Sequence, residues 1–333
     1  MKTALLGLEN SGSQEFYEIL NHGQKFIPGK KNIGLANVPD NRVGELSSAF
    51  QPKKTIYASL QFSYLQIVPA IPFEELRTMD VLVYILRAYP LYEGEKIDPV
   101  KTYNDFLTDL KIRDMDLLDR FCTRNAKDLS KKKELQWAEQ IQAYIENDQN
   151  LETLGEQVVL WAKNLGLVSK IPRFAVLNSD ENDWKNDSLI QRMKSTFPED
   201  DFLQLCLSIE KDISELDPEN RAEMLELYQI KEPALSFFLR KLYDFLGWMT
   251  FFTVGEDEVR AWTIKKGSNA FDAAGKIHSD IQHGFIRAEV VHYDDFKKNE
   301  FSFKLCKESG CFAVEGKNYL VQDGDIVHFR FNI

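Results

Sequence analysis

The chain has 333 residues, of which 44% are hydrophobic and 28% charged, with a formal net charge of −11. That is length for two or three domains of ordinary globular composition, and no segment approaches a membrane span, so a membrane partner is not expected. The acidic balance argues against broad coating of nucleic acid, although a local basic face can still touch RNA.

Cys122, Cys206, Cys306 and Cys311 are scattered without a C-x-x-C pair, which fits reduced, buried thiols better than a disulfide frame or a zinc site. The chain runs straight into the apolar Ala4, Leu5 and Leu6 with no basic and apolar leader ahead of them, and the expected location is cytoplasmic. Residues 7–14 read GLENSGSQ. The two glycines, Gly7 and Gly12, stand where the phosphate-binding pattern G-x-x-x-x-G-K-[ST] needs them, but the lysine position is Ser13 and the hydroxyl position is Gln14. Phe16, Ile19 and Leu20 come next at helical spacing, so a strand-loop-helix is expected. Without the lysine the same pattern also reads as a plain strand-to-helix turn.

NIGLANVPD comes next, and residues 42–50 make a short helix ended by Gln51 and Pro52. Ile56, Ala58, Leu60 and Phe62 alternate as a half-buried strand. VLVYIL at 81–86 is apolar throughout, as is a strand buried on both faces, and Phe174 to Leu177 and Leu203, Leu205 and Leu207 read likewise. Strands separated by helical stretches predict a doubly wound α/β domain with ligands at the carboxyl ends of its strands, where both the 7–14 stretch and Asn178 fall.

Residues 98–166 are helical in pattern and predict an inserted antiparallel arm. Phe106, Leu110, Leu117 and Phe121 form one stripe; Trp137, Ile141 and Ile145 a second; Leu154, Val158, Trp161 and Leu165 a third, which Gly166 can cap. Lys131, Lys132 and Lys133 read as a solvated arm tip or as an RNA or ribosome contact. Asp217 and Pro218 open a further helix, and Leu235, Phe238, Leu239, Leu242, Phe245 and Leu246 stripe another that stops at Gly247. Beyond Phe251 the period changes to strands at 259–264, 288–292 and 326–331 around a helix at 271–281, a small α+β module. His278, His283, His292 and His328 lie in this part without metal-ligand spacing, and no nucleophile pattern emerges.

GEDEVRAWTIKKGSNAFDAAGKIHSDIQHGFIRAEVVHYDDF and EGKNYLVQDGDIVHFRFN resemble the C-terminal TGS domain, a β-grasp fold, of the YchF or Obg-like ATPases. NIGLANVPDNR, KIDPVKT and the segment from Ser208 to Trp248 are similar to other parts of that family. The resemblance implies a P-loop-NTPase-like doubly wound parallel sheet over 1–94 and 172–249, an inserted α-helical arm over 95–171 and a β-grasp domain over 250–333. It implies ATP as ligand with Mg²⁺, read through an N-x-x-E motif that matches Asn178 to Glu181, and a ribosome or RNA partner. NSDEND also reads as an Asx-rich turn capping the next helix. The candidate nucleotide-binding residues are then Gly7, Asn10, Gly12, Ser13, Gln14, Asn178 and Glu181, with no catalytic or metal residue assigned.

The family's D-x-x-G falls on Tyr64 and Ile67, and only residues 68–78 stand where its glycine-rich mobile segment belongs. A charge-assisted phosphate contact is worth about 1.5 to 3 kcal/mol, so these losses imply ATP binding weakened by roughly two to four powers of ten and little or no hydrolysis. A functional ATPase with Lys25, Lys30 or Lys31 substituting, and a protein-protein regulator without nucleotide, are the alternative expectations.

Overall fold

A computed structural model describes residues 2–68 and 70–332; Met1, Pro69 and Ile333, which fall in the expected first domain, the 68–78 link and the expected last domain, lie outside the described residues. By contact the chain divides into two compact units, Met1–Gly34 with Gln61–Lys231 and Leu35–Leu60 with Glu232–Ile333. Residues 35–60 and 232–249 cluster with the C-terminal residues, and the 95–171 helices with the first sheet.

The first sheet is six-stranded in the order β2 (Asn32–Asn37), β4 (Ser59–Tyr64), β1 (Lys2–Gly7), β5 (Val81–Arg87), β6 (Arg173–Asn178), β7 (Asp201–Leu205). The β1 pairs with β4 and β5, and the β5–β6 and β6–β7 pairs, are all parallel. Residues 81–86 are buried without a break, as a parallel sheet covered on both faces requires. Leu82, Tyr84 and Leu86 join Tyr103, Phe106 and Leu110 of the helix Pro99–Asn125 in one core, and Tyr84 stacks on Phe106 at 4.0 Å. Each such side chain contributes about 1.5 to 3 kcal/mol on leaving water.

The expected strand through Leu203, Leu205 and Leu207 ends at Leu205. Cys206 is the extended N-cap residue of the helix Leu207–Glu215, so Leu207 is that helix's first residue. The alternating run at 56–62 breaks likewise into β3 (Lys54–Ile56), which pairs in the second sheet, and β4.

The helices Pro99–Asn125, Lys132–Glu146 and Glu156–Leu165 share a core of Leu118, Ala138, Ile141, Ile145, Val158 and Ala162, with Phe121, Trp137 and Trp161 packed against it. Leu118 takes the fully buried place expected of Leu117, which is partly buried. Gly166 caps the third helix at φ 90, a left-handed conformation that favours glycine. Asp114, wholly buried, accepts from the Val168 and Ser169 N–H groups at 2.9 and 2.7 Å and so fixes the chain that returns to β6.

The second sheet runs β11 (Ala313–Glu315), β10 (Phe285–His292), β12 (Asp325–Phe331), β8 (Trp248–Thr253), β9 (Glu258–Lys265), β3. Ala270, Ala273 and Ala274 of the helix Ala270–Ile277 pack on its Phe251, Ile264, Ala288, Val327 and Phe329. The single helix expected at 271–281 is two, because His278 turns extended (φ −162) and its ring nitrogen accepts from Asp280 N to start the second. Residues 35–60 belong to this unit through β3–β9 pairing and through Arg42, which binds Asp40 at 2.8 Å and Asp323 at 2.7 Å. Burial opposes the Arg42 charge, but the two carboxylates outweigh it and hold its pKa above the ordinary arginine value.

Asp114→Ala leaves buried N–H groups without an acceptor and is expected to destabilise the arm by about 2 to 4 kcal/mol. The change is read as a lowered denaturant midpoint in Trp137 and Trp161 fluorescence. An unshifted midpoint would show that the carboxylate does not hold the arm's return.

Candidate functional site

The 7–14 stretch is a strand-to-helix turn. β1 ends at Gly7 and the helix Ser13–Leu20 begins after Gly12, with Asn10 at φ 61 and Gly12 at φ 86 carrying the chain round. Two close approaches demand the glycines. A Cβ on Gly7 would lie 2.3 Å from Ser11 Oγ, and one on Gly12 would lie 2.6 Å from Asn178 Nδ2 and from a Leu207 methyl. Asn178, 3% exposed at the end of β6, donates to the Ser11 carbonyl and accepts from Leu207 N, both at 3.1 Å. One amide thus ties the loop, β6 and the helix after β7 together.

The hydroxyl of Ser13, the residue at the expected lysine position, lies 3.5 Å from that of Tyr64, on which the D-x-x-G aspartate is expected to fall, and both residues are buried. Tyr64 is held by stacking on Tyr17 at 5.7 Å and by the edge of Phe26 at 5.2 Å. Ser11 Oγ accepts from Ser13 N at 3.3 Å, so a hydroxyl of the loop itself takes one of the N–H groups at the helix start. Gln14 is directed away, its amide donating to Glu18 at 3.0 Å.

These residues line one side of a groove of about 1100 Å³ that also carries four carboxylates, Glu9, Glu15, Glu18 and Glu215, against two ammonium groups, Lys25 and Lys211. Lys211 is paired with Glu15 at 3.4 Å. Lys30 and Lys31 are exposed and are not among the groove-lining residues. Glu181 is exposed and accepts from Ser208 at 3.2 Å, while Asp180 caps the turn by accepting from Asn182 N and Asp183 N. The structure therefore gathers Gly7, Asn10, Gly12, Ser13 and Gln14 at the groove, sets Asn178 behind them as a brace and leaves Glu181 on the surface.

Within the loop the donor set suits a phosphate only through backbone N–H groups and the helix start, with the ammonium group of Lys25 elsewhere in the groove. For Mg²⁺ it is poor, since Ser13 faces a phenol and Gln14 an adjacent glutamate. Among the described residues no group of three or more His, Cys, Asp or Glu is placed to hold a metal ion. Sequence reasoning missed Ser11, Tyr17, Phe26 and Lys211. Only Ser11, a hydroxyl inside the loop, carried a local signal.

The family model YchF-GTPase_C, described as a protein of unknown function (DUF933), matches residues 248–332. Over its whole length the chain is similar to the ribosome-binding ATPase YchF of Bacillus subtilis (strain 168), 31% identical with 100% of each chain covered. It belongs to the YchF family. The Haemophilus influenzae ribosome-binding ATPase YchF is 30% identical, covering 100% of this chain and 99% of the relative. In fold the chain matches the Schizosaccharomyces pombe YchF GTPase with a TM-score of 0.84 at 24% identity, over 99% of this chain and 97% of that one.

The loop after β5 is clamped by Arg87, whose guanidinium meets Glu95 at 2.7 Å, with Leu91 N donating to the same carboxylate at 2.6 Å. These contacts hold the Glu95 pKa at about 2 against an ordinary 4.5. A depressed carboxylate stabilises fully above its ordinary pKa and loses that contribution as pH falls through the folded value. Glu95→Gln should therefore speed pepsin cleavage at Leu91 and Tyr92, and the ratio of mutant to wild-type rates should fall toward one as pH drops from 4.5 to 2. A ratio independent of pH would remove the clamp.

Asn178→Ala strands Leu207 N and the Ser11 carbonyl in the interior and is expected to cost about 2 to 4 kcal/mol. Hydrogen exchange should show the loss at both the 8–13 and 207–210 amides. Loosening at one segment alone would separate the two halves of the brace.

Proposed function

We propose that this chain is a ribosome-associated YchF family member that works by binding and has lost most of its nucleotide chemistry. The observation that carries the reading is the Ser13–Tyr64 contact, two uncharged hydroxyls packed at 3.5 Å where the pattern sets a lysine and a carboxylate. Positioning and charge neutralisation of the γ-phosphate are nearly all of phosphoryl-transfer catalysis, and this pair supplies neither. The carboxylate-rich groove adds repulsion toward a triphosphate.

The ribosome as partner comes from the relatives, which are ribosome-binding ATPases, and the cytoplasm is the compartment this reading requires. In this reading 1–94 and 172–249 form the P-loop-type domain, 95–171 the helical arm and 250–333 the TGS-like domain. No helix among the described residues is long and apolar enough to cross a membrane. A second reading, an ATPase with rewired phosphate contacts, is favoured by one observation: Lys25 lines the groove.

Calorimetry should find Mg-ATP no tighter than high micromolar, little stimulated by Mg²⁺ and not outcompeted by GTP. Ser13→Lys with Gln14→Ser should strengthen binding by about 1.5 to 3 kcal/mol without restoring turnover. The wild-type chain should sediment with ribosomes equally with and without ATP. Robust hydrolysis by the unmodified chain, abolished by Lys25→Ala, would replace this reading with the rewired ATPase, and failure to sediment would leave a regulator of another partner.

A further inference from the structure

The helix Phe303–Glu308 ends on Gly310, at φ 77, with Cys311 N donating to the Cys306 carbonyl at 3.0 Å and Gly310 N to the Lys307 carbonyl at 3.4 Å. This paired closure normally brings two apolar side chains together across the turn. Here both are cysteines. With standard bond lengths, a hydrogen bond of that length keeps the two Cα atoms within about 7 Å, and disulfides span up to about 6.8 Å. The Cys311 thiol also donates to the Cys306 carbonyl oxygen at 3.6 Å, which sets that sulfur against the Cys306 end of the turn.

We propose that Cys306 and Cys311 are a modification site, a thiol pair that peroxide-class oxidants convert to a reversible disulfide closing the turn ahead of β11.

The two thiols are unlike in access. Cys306 is wholly buried, whereas Cys311 is half-buried, correcting the expectation that all four cysteines are core fillers. Asn299 Nδ2 donates to the Cys311 sulfur at 3.5 Å, and the Ser309 hydroxyl lies 3.4 Å from it, so this sulfur sits among polar groups at the protein surface. Burial, together with its contact to Cys311, holds the Cys306 thiol above the ordinary range, so Cys311 meets the oxidant first. The remaining pair is less apt: Cys206 is buried, and burial with Glu139 and Asp119 nearby raises the Cys122 pKa.

In the first step the Cys311 thiolate attacks a peroxide oxygen. An S–O bond forms, the O–O bond breaks, and the departing hydroxide takes a proton to become water, leaving a sulfenic acid. The Cys306 sulfur then attacks the Cys311 sulfur. The S–S bond forms, the S–O bond breaks, and hydroxide leaves with the Cys306 proton as a second water. Two electrons pass from the two sulfurs to the peroxide, and a dithiol reductant reverses the exchange.

The full chain is treated with hydrogen peroxide, alkylated and cut with trypsin, which cleaves after Lys304, Lys307 and Lys317. The expected product is peptide 305–307 joined to peptide 308–317, with two of the chain's four thiols lost and both recovered by dithiothreitol. Cys306→Ser should leave a Cys311 sulfenic acid that dimedone traps. If that variant does not fold, the wild-type peptide map decides by itself. Cys311 carried to sulfinic acid beside an alkylated Cys306, or Cys122 oxidised ahead of the pair, would overturn the assignment.

Discussion

The carboxyl edge of the first sheet depends on a buried amide. Asn178 gives a proton to the Ser11 carbonyl and takes one from Leu207 N, while its side chain fills the space that Gly12 leaves by lacking a Cβ. Neither bond can be dropped cheaply at 3% exposure, because an unpaired polar group out of water costs on the order of 1 to 3 kcal/mol. The brace needs no ligand. It gives the loop a structural reason for its glycines and its turn, and architecture and chemistry at this edge are separately determined.

Much of this was readable from the residues. The apolar run 81–86 announced a strand covered on both faces, and Asp217 announced a helix start, where it accepts from Glu219 N and Asn220 N. Local pattern failed where a tertiary partner decided. Leu207 continues the alternation of Leu203 and Leu205, yet Asn178 captures its N–H and begins a helix there. His278 sits inside a helical period, yet its own ring caps the following turn. At the site, spacing located Gly7, Gly12, Ser13 and Gln14, but no periodicity could bring Tyr17 and Phe26 onto Tyr64, since that depends on how the helix Ser13–Leu20 and the chain beyond it pack.

Under the function proposed above, the Tyr64 cluster takes the place of an ion. A metal shell organises a loop through a few strong, directional contacts, whereas Tyr17, Phe26 and Tyr64 do so through ring contact worth about 0.5 to 1.5 kcal/mol per pair beyond burial. Such packing has no counterpart to γ-phosphate loss.

The C-terminal unit is assembled from two stretches of chain. β3 supplies the strand that pairs with β9, and Lys53 meets Asp257 across a separation of 204 residues. During synthesis the early stretch emerges long before its partner and must stay unpaired until the last third of the chain appears, a high-contact-order closure that folds slowly. The segment 248–332, although it coincides with a recognisable family module, lacks β3 when excised. It would bare the β9 edge, whose open N–H and C=O groups invite strand addition by other chains.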